Sequence, residues 1–258
     1  MLVALACATL AAPAHAQGTP PVPPARAPSD TDSLAHAPPA LGINGLLLRP
    51  QHLRYEMVTA VHDTAHVVGT RDVDLRSGSY GAYPAWIVSD VRGGRVPGAD
   101  SVYFSTVDFR PLHWSSVLGD ARLALEFTPD SIYGGTSGPT GNQNIALGNR
   151  GDLLASGTMV NLALELLPLT VGWQDSVSVL LVDLGTARIV PAVLTVDGEE
   201  DIAGPGGGRV HCRVVTLQAG TISARYWVST VNPTVVRMRQ ELPDRPGEVF
   251  EQRLLSRN

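Results

Sequence analysis

From Leu53 to the C-terminus the chain repeats one short rhythm, in which apolar and polar residues alternate briefly before a turn intervenes. A period of two belongs to the β-strand, whose successive side chains leave opposite faces. Gly, Asn, Asp or Pro interrupts the alternation about every 8–12 residues, the spacing of an all-β fold. Connections this short leave room for hairpins but not for the crossovers that parallel strands require. Strands are expected over 53–60, 65–75, 83–91, 101–106, 112–118 and 121–128. They resume over 176–182, 188–196, 209–217, 222–229, 235–241 and 249–255.

Two stretches break the rhythm. Residues 134–151 are glycine-rich and read as a flexible loop. Met159, Leu162, Ala163, Leu166 and Leu167 recur at helical spacing, with Ser156 able to cap and Pro168 to stop the run, so one amphipathic helix is expected there. The fold class that follows is mainly β: a curved antiparallel meander, a half-barrel or open barrel, with this helix packed on the sheet.

The front of the chain is different. Residues 1–16 run apolar and end in Ala14-His15-Ala16, a small-x-small pattern that reads as a secretory signal peptide, although no basic residue precedes it. Residues 17–45, with prolines 20, 21, 23, 24, 28, 38 and 39 among small residues, read as a disordered linker, because such a segment buries too little apolar surface to offset its ordering entropy. Residues 46–258 then form a single β domain. The expected location is the periplasm or cell envelope of a bacterium. No apolar run is long enough for a transmembrane helix.

Composition excludes several chemistries. All nineteen basic residues are arginine, which rules out Schiff-base lysines and P-loop phosphate binding. A net charge of −5 speaks against a nucleic-acid surface. Beyond Cys7 in the leader the only cysteine is Cys212, on the apolar phase of Val210-His211-Cys212-Arg213-Val214, where a buried, inert thiol is expected. His62 and His66, with Asp63 between them and His52 upstream, belong to a segment read as a hairpin tip, where a spacing of four does not bring imidazoles together as it would on a helix. His113 and His211 read as isolated. Asp197, Glu199, Glu200 and Asp201 read as a solvated acidic turn, without the EF-hand spacing. Gly134 to Gly138 lacks the serine of a nucleophile elbow, and Gly204 to Gly208 opens no helix. Catalytic residues, metal ligands and cofactors are therefore not expected.

Two binding surfaces remain. Inward positions Tyr55, Met57, Trp86, Tyr103, Trp114 and Phe127, with Met159 and Leu166 of the helix, either fill the core or line an apolar ligand cavity. On the last strands Arg209, Arg213, Arg225, Arg237 and Arg239, with His211 and Trp227, fall opposite the valines. They form either a solvated face or one that meets an anionic partner.

The order of several short stretches carries a family resemblance. Leu53-Arg54-Tyr55-Glu56, Val68-Gly69-Thr70, Asp100-Ser101-Val102-Tyr103 and Phe109-Arg110-Pro111-Leu112 come first. Leu166-Leu167-Pro168-Leu169, Val196-Asp197-Gly198-Glu199, Arg225-Tyr226-Trp227-Val228 and Val235-Val236-Arg237-Met238 follow. Together they resemble the exported bacterial family called domain of unknown function 3108. The resemblance implies a curved antiparallel sheet, broadly similar to the half-barrels of the lipoprotein carriers LolA and LolB, and no catalytic residues. The function expected on these grounds is non-enzymatic: a binding or carrier module for lipid or another apolar or amphiphilic ligand. A protein that binds another envelope component through a sheet edge or the arginine face is the alternative, and a hydrolase with a dispersed site is the third.

Overall fold

The computed structural model describes residues 42–61, 64–95, 97–139, 141–149, 153–183, 186–242 and 245–258. The expected leader, nearly all of the expected linker, Cys7, His62 and Asp63 lie outside them.

Alternation builds the first six strands, β1 (Gln51–Val61), β2 (Thr64–Tyr80), β3 (Tyr83–Gly94), β4 (Gly98–Ser105), β5 (Pro111–Leu118) and β6 (Ala121–Phe127), and two glycine-rich strands follow, β7 (Ser131–Gly138) and β8 (Gly141–Gly148). A two-residue strand, β9 (Leu153–Leu154), leads into the helix α1 (Gly157–Leu166). The remaining strands are β10 (Gln174–Asp183), β11 (Thr186–Ala203), β12 (Arg209–Ala219), β13 (Ile222–Ser229), β14 (Val235–Glu241) and β15 (Glu248–Arg257). All belong to one sheet, in the order β8-β7-β6-β5-β4-β3-β2-β1-β15-β14-β13-β12-β11-β10-β9. Every pairing is antiparallel except the short β9–β10 contact.

This order forces curvature. β8 and β9 are the two edges of the sheet, yet they are neighbours in the chain. The steps from Gly148 to Leu153 span at most about 18 Å, whereas 15 strands laid flat would measure roughly 67 Å across. The sheet therefore curls on itself, and β8 comes up against β11 without pairing. The mainly β, open curved meander read from the alternation is the fold observed, with β1 hydrogen-bonded to β15 at its centre.

The concave side carries the packed hydrophobic core. Leu53, Tyr55, Val73, Leu75, Trp86, Val88, Phe104, Trp114 and Leu125 point inward from β1 to β6 and are buried. Helix α1 lies among them, capped by Ser156, which accepts from the Met159 amide at 3.2 Å. Residues 158–164 are all buried, so burial reaches further round this helix than the single apolar stripe of a surface helix.

Two local expectations change. The glycine-rich 134–151 segment contains the β7–β8 hairpin. Gly134 has a φ of +147°, and a Cβ there would stand 2.0 Å from the Ala124 carbonyl oxygen. Its glycine serves close backbone approach within a sheet, a role that composition alone does not separate from loop flexibility. Chain packing also begins ahead of residue 46. Ile43 and Gly45 are buried, and the Gly45 carbonyl accepts from Trp86 Nε1 at 2.8 Å.

Candidate functional site

Four charged residues sit on the inward phase of β2, β3 and β4. Arg71 follows the phase of Val73 and Leu75, Asp90 and Arg92 that of Trp86 and Val88, and Asp100 that of Val102 and Phe104. Arg71 donates from Nε to Asp90 Oδ1 at 3.0 Å, from Nη2 to Asp90 Oδ2 at 2.7 Å, and from Nη1 to Gln252 Oε1 at 2.5 Å. Thr158, in the first turn of α1, accepts from Arg71 Nη2 at 2.7 Å and donates to Asp90 Oδ2 at 2.6 Å. One guanidinium thus ties the helix to β2, β3 and β15. Burial alone would push the Asp90 carboxyl up, but the Arg71 charge and hydrogen bonds, with Arg92 and Thr158, hold it below the ordinary carboxylate value.

Beside this pair, Arg92 Nη2 donates to Asp100 Oδ1 at 3.0 Å. Burial, reinforced by the Asp90 charge, raises the Asp100 carboxyl against the opposing pull of Arg92. The two pairs border a chamber of about 60 Å³ under the start of α1, walled otherwise mostly by apolar side chains. Sequence reasoning missed these residues because it treated charge as outward by default; their strand phase was the signal that marks them as inward.

The outer face carries a second cluster. Trp227 on β13 has the guanidinium of Arg225 5.2 Å and that of Arg237 4.9 Å from its ring centroid. Its Nε1 donates to Glu200 Oε2 at 2.9 Å. Such stacking is worth about 0.5–1 kcal/mol at exposed sites, and more when water is excluded. Arg225 and Arg239 face each other directly across β13–β14, and Arg237 faces Arg253 across β14–β15. Glu251 neutralises the second pair, accepting from Arg237 at 2.6 Å and from Arg253 at 2.5 Å. Burial opposes its charge, but these two hydrogen bonds hold its carboxyl below the ordinary value. Among the described residues, no carboxylate is within ion-pair distance of Arg225 or Arg239. A hollow of about 470 Å³ lies over Arg225, Trp227, Arg237 and Arg239, with Glu200 and Glu241 also in its lining. A second hollow, of about 320 Å³, shares Arg237 and is walled by Pro205, Val236, Leu254 and Leu255.

The expected arginine face is divided. The β12–β13 turn pairs Ala219 with Ile222, so odd positions of β12 share a face with even positions of β13. Arg209, His211 and Arg213 therefore point away from the Trp227 side. Arg209 donates to the Asp201 carbonyl at 2.9 Å, and Arg213 lies 3.7 Å from Glu199. His211 is not isolated: Nδ1 meets Asp201 at 2.8 Å and Nε2 meets Glu199 at 3.2 Å. Hydrogen bonds to Asp201 and then Glu199 raise its pKa. The acidic residues expected in a turn belong to β11, whose alternation sends Glu200 towards Trp227 and Glu199 towards His211.

Of the residues expected to point inward, Tyr55, Met57, Trp86, Trp114, Phe127 and Met159 are buried in the core, and Leu166 packs partly buried against it. Tyr103 points outward, since Val102 and Phe104 take the inward phase. It lies 5.1 Å from Tyr80 and 5.7 Å from His113. His113 is not isolated either, with Nδ1 2.8 Å from Glu126 Oε1. Cys212 is buried, and burial, aided by Asp201 and Glu200, pushes its thiol up to about 11. That is the opposite of an activated thiolate. Among the described residues no His, Cys, Asp or Glu group is arranged to hold a metal, and no helix is long and apolar enough to cross a membrane.

No family model matches the chain, and no curated protein does. Solved structures are similar. A β-barrel-like protein of domain of unknown function 1849 from Brucella abortus superposes with a TM-score of 0.50 at 9% identity, covering 81% of this chain and 97% of that one. The hypothetical lipoprotein YmcC from Escherichia coli gives 0.36 at 13% identity over 78% and 86% of the two chains. A DUF1329 family protein from Desulfovibrio piger gives 0.26 at 11% identity over 81% and 85%. The Brucella likeness is one of fold alone, and the other two are too distant to carry an inference.

Proposed function

We propose that this protein is a non-enzymatic binding module of the bacterial cell envelope whose ligand is an acidic amphiphile, held on the outer face of the sheet. Arg225 and Arg239 meet its charged head, and the hollow beside Pro205 and Leu255 takes apolar surface. The observation that carries this reading is the Arg225–Arg239 pair. Like charges placed directly opposite in a sheet are destabilising, and this pair lacks the carboxylate that relieves Arg237 and Arg253. A phosphate or carboxylate supplies the missing counter-charge, and the planar guanidinium fork suits either.

The interior supports an external site from the other direction. Helix α1 and the aromatic side chains occupy the volume that an internal carrier keeps for its cargo. The chamber of about 60 Å³ falls well below the roughly 300–1,000 Å³ of ordinary ligand pockets. Export itself rests on the leader read in residues 1–16.

Co-sedimentation with phosphatidylglycerol vesicles, against phosphatidylcholine vesicles, tests the proposal. Binding only to the acidic vesicles, weakening with salt, is expected. The Arg225→Gln/Arg239→Gln double variant should lose about 2 kcal/mol, roughly thirtyfold in affinity. Equal binding to both vesicles, or an unaffected double variant, overturns it. Capture of a soluble envelope protein with no vesicle binding would favour a protein partner on the same face.

A further inference from the structure

The chamber beneath α1 is walled largely by apolar side chains, among them Val160, Leu217 and Met238, and the few buried polar groups that reach it are incompletely satisfied. Arg92, Trp114 and Gln240 are only 7%, 2% and 4% exposed, and all three line this one cavity. Arg92 Nε, Trp114 Nε1 and Gln240 Nε2 have no hydrogen-bond partner. All three are donors, and a buried donor without an acceptor keeps its desolvation cost uncompensated. They come from β3, β5 and β14, three separated strands whose register is fixed by pairing on both sides. Thr158 and Asn161, three apart in α1, place the helix's polar positions against the same chamber.

The charges there are unevenly committed. Arg71 is spent on Asp90, Gln252 and Thr158. Arg92 gives one nitrogen to Asp100 and leaves Nε unused. Two ion pairs in an otherwise apolar core are costly to desolvate and give little net stability. A complementary ligand would account for keeping a half-used arginine beside two orphaned donors.

The geometry points to a second binding site, independent of the outer face, in which a small carboxylate accepts hydrogen bonds from Arg92, Trp114 and Gln240. The volume of about 60 Å³ holds roughly four water-sized atoms, which suits formate or acetate and excludes a lipid. Two oxygens with several lone pairs can serve three donors at once. Waters, which must donate as often as they accept, are the competing occupants.

The test is a formate titration of the whole protein, read at the Trp114 indole N–H by ¹H–¹⁵N NMR, with Trp114→Phe used to assign the resonance. A saturable shift is expected, with chloride at equal ionic strength giving none. Gln240→Leu, which removes one donor without adding charge, should weaken formate more than tenfold. Arg92→Gln should abolish binding; if that variant does not fold, Gln240→Leu still decides. No saturation at Trp114, an equal response to chloride, or unchanged affinity in Gln240→Leu would each mean that the chamber holds water only. None of these results depends on vesicle binding, so the two proposals fail separately.

Discussion

Arg71 and Asp90 show what a single pair of residues can impose on this fold. Each is the other's compensation for leaving water, so removing one strands a buried charge. Arg71→Met should destabilise by about 3–5 kcal/mol in urea melts. Arg71→Met/Asp90→Leu should cost clearly less than the sum of the two single changes, because both charges leave together; simple additivity would contradict the pairing. Glu165 is a different case. Burial pushes its carboxyl up to about 7, against the Gln51 hydrogen bond. The folded protein therefore keeps a proton that the unfolded chain releases from about pH 4.5 upward. The sign is fixed: this contribution is complete below the unfolded value and declines as pH rises through about 7, by about 3 kcal/mol in all. Thermal melts should fall from about pH 5 to about pH 8 in the native protein, and Glu165→Gln should flatten that fall. Phase is what made these residues readable or not. Val73, Trp86 and Phe104 were legible as core because apolar character and strand phase agree there. Arg71, Asp90, Arg92 and Asp100 were not, because their charge argues against the phase they occupy.

At the level of elements, two substitutions in one hairpin separate the reasons for its glycines. Gly134→Ala must push a Cβ into the Ala124 carbonyl at a φ of +147°. Gly138→Ala would place its Cβ 3.5 Å from Ala121, an ordinary contact. The first should destabilise by 2 kcal/mol or more and the second by less than about 0.5 kcal/mol; equal melting temperatures for the two would reject the close-approach account. Ser156→Ala removes the only side-chain cap of α1 and should cost about 1 kcal/mol by the same measurement. The helix was legible from Ser156, its apolar spacing and Pro168, three signals that agree. The β7–β8 hairpin was not, because glycine-rich strands carry no apolar rhythm. Faces within a hairpin were legible only where the turn register could be fixed. The Ala219–Ile222 pairing decides which arginines stand together, and reading β12 and β13 by position number alone merged two opposite faces.

For the molecule as a whole, the curl of the sheet decides where a ligand can go. A meander whose first and last strands pair at its centre must bring its edges round, and α1 occupies the hollow so made. The fold class followed from alternation because period and turn spacing are local properties. Whether the hollow is empty or filled depends on side-chain volumes meeting across the interior, which no local rhythm records. On the proposed function, the packed core leaves the outer face, with Trp227 and its arginines, as the ligand surface. Phosphatidylglycerol with brominated acyl chains tests this directly, since bromine quenches only nearby tryptophans. Trp86 and Trp114 lie on the inner face, whereas Trp227 lies on the outer face, buried beneath its arginines. In a Trp173→Phe background, which removes the partly buried fourth tryptophan, quenching should appear on vesicle binding and be largely lost in Trp227→Phe, while that variant still sediments with the vesicles. Quenching that survives Trp227→Phe and disappears in Trp114→Phe would put the lipid inside the sheet and contradict the account.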